Sequence, residues 1–199
     1  MADKTVHLID DDEGVREALT VLLTEAGYAV RSYKSGLEFL ATFDPKAQGC
    51  IVSDIRMPGI DGLELQERLR ALNIALPLIF ITGHGDIQMA VQAIRGGASD
   101  FIEKPFDESL LIGALEREFS QSARVVKPEE NSDTRQKLAG LTPRELQVLD
   151  CMVEGKPNKV TAFELGLSIR TVETHRAHVM QKMGAGSLSE LVRLVIAAR

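Results

Sequence analysis

The chain has 199 residues, a formal net charge of -6, 44% apolar and 26% charged side chains, a composition typical of a folded protein with room for one large domain or two small ones. No stretch approaches the ~18 consecutive apolar residues of a membrane span, and Met1-Ala2-Asp3-Lys4 opens no basic-then-apolar signal peptide. Cys50 and Cys151 match neither a zinc spacing nor a disulfide framework, so a reduced, cytoplasmic protein without membrane association is expected.

Short apolar runs at Val6–Ile9, Ala29–Tyr33, Cys50–Ser53, Leu78–Ile81 and Phe101–Ile102 read as strands, separated by segments of helical period. The first helix carries Val15, Leu19, Leu22 and Leu23 and stops at Gly27. The third opens on Asp61-Gly62-Leu63-Glu64, a capping-box variant. The fourth opens near Asp86 and stops at Gly96-Gly97, and the fifth starts near Asp107. Five such repeats predict a parallel, doubly wound α/β sheet of the flavodoxin-like kind over residues 1–120. The polar run from Ser120 to Gly140, with Pro128, loses all periodicity and reads as a linker over 121–138.

Beyond it, residues 139–199 read as all-α. Thr142-Pro143-Arg144-Glu145 combines an N-cap, a proline at the first helical position and a closing glutamate. Leu146, Leu149, Met152 and Val153 form its stripe, and Gly155 ends it. A short helix follows from Asn158 to Leu165, then the turn Gly166-Leu167-Ser168, a helix from Ile169 to Met183, and a fourth opened by Ser187 and Glu190. The charge divides with this boundary. Residues 1–124 hold 12 basic and 20 acidic side chains, whereas residues 141–199 hold 8 and 6, as expected of two domains with different partners.

In an open parallel sheet, chemistry gathers at the carboxyl ends of the strands where the strand order reverses. Here the first strand ends in Asp10-Asp11-Asp12-Glu13, the third in Asp54 and the fourth in Thr82-Gly83, and Lys104-Pro105 follows the fifth. Clustered carboxylates repel by about 4 kcal/mol per pair at ~4 Å and an effective dielectric near 20, which a divalent cation relieves. Hard oxygen donors in an incomplete cage suit Mg²⁺. A phosphoryl group on Asp54 would bring roughly two further negative charges for the metal and Lys104 to balance.

Asp10-Asp11, Asp54-Ile55-Arg56-Met57-Pro58-Gly59, Thr82-Gly83 and Lys104-Pro105-Phe106 together resemble the motif set of bacterial response-regulator receiver domains. The resemblance implies that Asp54 accepts a phosphoryl group from a sensor histidine kinase. It also implies that Asp10, Asp11, Asp54 and the main-chain carbonyl of Arg56 hold Mg²⁺, and that Thr82 and Lys104 contact the phosphoryl group. Thr82 and Phe101 match the switch pair, and Lys104-Pro105 a cis peptide bond. Haloacid-dehalogenase-type phosphatases also form an aspartyl phosphate, but carry a second Asp two residues after the nucleophile. Arg56 stands there, so a regulator rather than an enzyme is expected.

At about 100° per residue, Arg170, Glu173, Thr174, Ala177 and Gln181 share one face of the Ile169–Met183 helix. Val172, Val179 and Met183 lie opposite, and His175, His178 and Lys182 occupy one flank. With the short helix and turn before it, this is a helix-turn-helix whose second helix fits the major groove. Leu141-Thr142-Pro143-Arg144-Glu145, Asn158-Lys159, Leu165-Gly166-Leu167-Ser168, Thr171-Val172-Glu173-Thr174-His175 and Lys182-Met183 resemble the four-helix LuxR-type DNA-binding domain. Thr161, and Lys156-Pro157, depart from its usual pattern. The resemblance implies base contacts from Glu173, Thr174 and Ala177, and phosphate contacts from Arg170, Thr171, Arg176 and Lys182.

The pairing of both halves is similar to the FixJ group of LuxR-type regulators. That implies an oxygen-sensing kinase, a homodimer formed on phosphorylation, double-stranded promoter DNA, and RNA polymerase as the partner in activation; Val91 and Arg95, which both fall on the fourth helix, are the candidate dimer contacts. It also implies a cytoplasmic protein that joins the nucleoid when bound.

Overall fold

The computed structural model describes residues 4–45, 47–83, 87–121 and 130–198. In chain order the elements are β1 (Thr5–Ile9), α1 (Glu13–Glu25), β2 (Ala29–Tyr33), α2 (Gly36–Thr42), β3 (Cys50–Asp54), α3 (Gly62–Ala71), β4 (Leu78–Thr82), α4 (Ile87–Arg95), β5 (Asp100–Glu103) and α5 (Glu108–Gln121), followed by α6 (Glu130–Ala139), α7 (Pro143–Val153), α8 (Asn158–Leu165), α9 (Ile169–Met183) and α10 (Leu188–Ala198). Asp86, expected at the start of the fourth helix, and Pro128, expected to interrupt the linker, lie outside the described residues. The chain forms two compact units.

The first unit is a five-stranded sheet in the order β2-β1-β3-β4-β5, with every pair parallel. Successive strand residues point to opposite faces. Val6, Leu8, Cys50, Val52, Ile79 and Ile81 therefore share one face, buried with Leu19 and Leu23 of α1 and Leu111 and Leu115 of α5. Burying each such aliphatic side chain contributes about 1.5–3 kcal/mol. His7, Ile51 and Phe80 occupy alternate positions. His7 lies among Tyr33, Phe39 and Phe43, with ring centroids 5.6–6.1 Å away. At Phe80 only glycine fits opposite: a Cβ on Gly62 of α3 would stand 2.6 Å from the Phe80 ring and 2.9 Å from the Asp54 carbonyl oxygen. This close approach seats α3 directly behind the end of β3. After β2 the chain returns to the other side of β1, so a crevice opens at the carboxyl ends of β1 and β3.

The second unit contains the expected four helices. Thr142 and Glu145 close a reciprocal capping box: Glu145 N–H donates to Thr142 Oγ1 at 3.3 Å and Thr142 N–H to Glu145 Oε2 at 2.8 Å. Ser168 caps α9, Thr171 N–H donating to its hydroxyl at 3.0 Å. Gly166, at φ 63° in the turn before it, adopts the left-handed conformation that glycine enters without a Cβ penalty. Leu141, Val148, Leu149, Met152, Val153, Val179, Met183, Leu191 and Val195 make the core.

The expected linker is helical from Glu130 onward. This helix, α6, has no apolar stripe for periodicity to reveal. It is held instead by one partly buried leucine, Leu138, a buried Thr134, a Lys137–Asp133 ion pair at 2.8 Å, and Arg135 Nε donating to the Ala198 carbonyl at 3.3 Å. A polar helix of this kind exists through local pairs and neighbours rather than through its own pattern.

Candidate functional site

At the carboxyl edge of the sheet the acidic residues divide their work. Asp12 caps α1, its Oδ1 accepting from Val15 N–H at 3.0 Å. Asp10 is buried, and its Oδ1 accepts from Asp12 N–H at 2.9 Å. Its main-chain carbonyl accepts from Arg16 at 2.9 Å, which pins α1 to the strand end. Asp10, Asp11 and Asp54 each present an oxygen, and these lie within 4.8 Å of one another. The strand-end assignment of the pair to Asp10 and Asp11 thus coincides with the cluster, because Asp12 is used as a cap.

Lys104 closes the site from β5. Its Nζ donates to Asp54 Oδ2 at 2.8 Å and to Asp10 Oδ2 at 3.2 Å. Burial raises the pKa of Asp10, against the Asp12 N–H and Lys104, which lower it. Burial also works against the Lys104 ammonium, but the Asp54 and Asp10 carboxylates outweigh it and hold its pKa above the ordinary lysine value. Asp54 Oδ1 accepts from Arg56 N–H at 3.1 Å, which folds the following loop back over the carboxylate. Thr82, buried at the end of β4, is tied instead to the segment after β5: its carbonyl accepts from Lys104 N–H at 2.7 Å. The Lys104-Pro105 peptide bond is cis. Phe101 pairs in register with Phe80 and is half-buried. Val91 is buried and Arg95 exposed, so of the two residues expected at a dimer contact only Arg95 is at the surface.

On α9, Arg170, Glu173, Thr174 and Ala177 are exposed, Thr171 and Arg176 half-buried, and Val172, Val179 and Met183 buried. The helix therefore packs on one side and presents its polar face on the other. Thr174 Oγ1 donates to the Arg170 carbonyl at 3.0 Å, which occupies the hydroxyl proton. Lys182, expected among the phosphate contacts, ends on a protein partner: its Nζ donates to Glu145 Oε2 at 2.7 Å. Sequence reasoning read Glu145 only as a cap. Its second partner lies 37 residues away, where no local pattern points.

An acidic crevice of this kind on a 2-1-3-4-5 sheet, joined to a helix-turn-helix, defines a phosphoacceptor switch with a DNA-binding output. Comparison with known proteins gives the same class. Residues 6–116 match the response regulator receiver domain family, and residues 139–195 match the luxR family of bacterial regulatory proteins. The transcriptional regulatory protein FixJ of Azorhizobium caulinodans is 48% identical over 194 residues, covering 97% of this chain and 92% of the relative. FixJ of Rhizobium meliloti is 47% identical, covering 99% and 97%. Among solved structures, full-length FixJ from B. japonicum is 40% identical, covering 100% of this chain and 98% of its own, with a TM-score of 0.58. The response regulator StyR is 42% identical, covering 98% and 99%, with a TM-score of 0.57.

The chain belongs to the FixJ/LuxR-type two-component response regulators: DNA-binding proteins activated by phosphorylation of an aspartate, served by a sensor kinase, and not themselves enzymes. Among the described residues no helix is long and apolar enough to cross a membrane.

Proposed function

We propose that Asp54 is the aspartate that accepts the phosphoryl group, and that the acidic cluster holds Mg²⁺ while it does so. The observation that carries this is the convergence of Asp10, Asp11 and Asp54 within 4.8 Å, with the Lys104 ammonium 2.8 Å from Asp54. Such a donor set fits Mg²⁺, a hard cation that takes a few carboxylates and completes its shell with waters and phosphate oxygens. Asp10, Asp11, Asp54 and the Arg56 carbonyl would hold it. When bound, the cation neutralises charge on the carboxylates and on the entering phosphoryl group. Lys104, already on Asp54, shifts to an oxygen of the new phosphoryl group. Thr82 turns its hydroxyl to another, and Phe101 follows into the space this leaves.

Thr82 and Phe101 thereby carry the change from the site to the surface of α4 and β5, where a homodimer forms with Arg95 at its contact and Val91 exposed by the same rearrangement. A swing from 1:99 to 99:1 needs about 5.5 kcal/mol of differential stabilisation. The dimer places two copies of α9 in successive major grooves of promoter DNA. There Glu173, Thr174 and Ala177 face bases, Arg170, Thr171 and Arg176 meet phosphates, and the bound dimer recruits RNA polymerase to activate transcription. The kinase senses oxygen. The setting is the bacterial cytoplasm and nucleoid.

Treatment with acetyl phosphate and Mg²⁺ tests the reading. The wild-type chain should gain one acyl phosphate and retain genomic fragments that the untreated chain does not. Asp54→Asn should do neither. Phosphodonor-dependent DNA retention by Asp54→Asn would remove Asp54 from the mechanism.

A further inference from the structure

We infer that Arg144 and Glu145, adjacent residues in the first turn of α7, are positioning residues that brace the two helices of the helix-turn-helix, and that Lys182 is the anchor of that brace on α9 rather than a phosphate contact. The inference rests on the reading that α9 enters the groove, and it names what fixes that helix in place.

Arg144 reaches one end of the motif. Its guanidinium donates to the carbonyl of Leu165 at 2.9 Å, steadied by Gln147 Oε1 at 2.8 Å. Leu165 is the last residue of α8, directly before the Gly166 turn. Glu145 reaches the other end. Its carboxylate is only 5% exposed and lies 2.7 Å from Lys182 Nζ in the last turn of α9, with His178 Nδ1 at 3.9 Å. The same Oε2 accepts from Thr142 N–H at 2.8 Å, so the carboxylate is itself held by the helix cap.

Val172, Val179 and Met183 decide which side of α9 is buried, but apolar contact is non-directional. It leaves a fifteen-residue helix some freedom to roll or slide. A charge-assisted hydrogen bond has direction, and this one acts far along the helix from the Ser168 cap. Between these two fixed points lie Glu173, Thr174 and Ala177. Lys182 falls about 120° round the helix from Arg170, away from the reading face. A buried carboxylate strongly favours keeping its cation, which opposes release of Lys182 to DNA.

The test uses the full chain treated with acetyl phosphate. Two probes are compared over a range of salt: a duplex that the wild-type chain selects from a random pool, and a scrambled duplex of equal length. Lys182→Met should lower the selected-over-scrambled affinity ratio about tenfold, the size of one or two lost base preferences. It should leave the salt slope on the scrambled duplex unchanged. Lys182→Arg should restore the ratio to within about twofold. Glu145→Gln should match Lys182→Met, and the double variant should be no worse than either, as coupled partners require. Arg144→Met should lower the ratio independently.

A salt slope reduced by about 0.9 in Lys182→Met, with the ratio intact, would make Lys182 a phosphate contact and overturn the inference. So would a lowered melting temperature with ratio and slope both unchanged, the mark of a merely structural pair. Lys182 is 41% exposed, but Lys182→Met strips the buried Glu145 carboxylate of its cation; should it fail to fold, the double variant, which removes both charges, is read in its place. A Glu173→Ala arm separates the underlying reading: unchanged preference there would remove α9 as the reading helix, independently of the brace.

Discussion

Among single residues, Lys104 and Asp10 show how the phosphoacceptor site is prepared. Of three carboxylates whose oxygens lie within 4.8 Å of one another, two, Asp54 and Asp10, share one ammonium at rest. A divalent cation that binds here and not to the unfolded chain adds stability by mass action, about 2.7 kcal/mol at 100 times its Kd. Mg²⁺ should therefore raise the melting temperature of the wild-type chain and EDTA should reverse it, while Asp10→Asn or Asp54→Asn should abolish the shift. A shift that survives in both variants would place the ion elsewhere. These residues were legible because each follows a strand directly, and strand ends converge in this topology whatever the loops do. Arg144 and Glu145 were not. Leu165 and Lys182 meet them only once α7, α8 and α9 have packed, and a helical wheel drawn for α9 alone leaves Lys182 on an open flank.

At the scale of elements, the helix ends match expectation where a cap or a stop glycine marks them in the sequence, although the Asp12 and Ser35 caps of α1 and α2 were not read as such. Ser168 and Gly184 bound α9, Thr142 opens α7, and Asp61 opens α3, its carboxylate accepting from Glu64 N–H at 2.8 Å. Removing such a cap costs about 1 kcal/mol. The strands read short by a residue or so at one or both ends, except β2, because pairing with a neighbour extends a strand past its apolar run. The helix α6 escaped because its stability is borrowed from contacts rather than written in its period. The most exacting element contact is that of α3 on the end of β3. Gly62 N–H donates to the Ile55 carbonyl at 2.7 Å, and a methyl group there has no room beside Phe80. Gly62→Ala should destabilise the sheet unit by about 1–3 kcal/mol through overpacking, read as a lower urea midpoint. It should also slow phosphorylation by acetyl phosphate, because the displaced backbone carries Asp54. Normal phosphorylation kinetics in a destabilised variant would separate the packing from the chemistry.

For the whole molecule, the net charge of -6 is the sum of an acidic receiver and a mildly basic output, and the two units also answer to acid differently. Burial pushes His7 below its ordinary 6.5, opposed by a backbone hydrogen bond at Gln48 and reinforced by Arg31. The folded chain then binds fewer protons there than the unfolded one, so stability is full above pH 6.5 and declines as pH falls below it. Glu145 is held down from 4.5 to about 2, first by Lys182 and then by Thr142 N–H. Its contribution is present above pH 4.5 and lost between there and about 2. Tyr28, directly before β2, and Tyr33, its last residue, are the two tyrosines, and the chain has no tryptophan. Tyrosine emission thus reports on the sheet unit alone. The melting temperature it records should begin to fall below pH 6.5, and less so in His7→Phe. The Glu145→Gln variant should differ from wild type in its helical circular dichroism above pH 4.5 and converge with it toward about pH 2. A single acid transition indifferent to both substitutions would refute the assignment.

The lysine that spans Asp54 and Asp10 has one more consequence. It is an ion on a leash: dilution, dialysis and chelation cannot wash it out. The resting crevice thus carries positive charge of its own, and a divalent metal there would meet carboxylates already paired with Lys104. A phosphoryl group on Asp54 would then supply the negative charge that lets both cations stay.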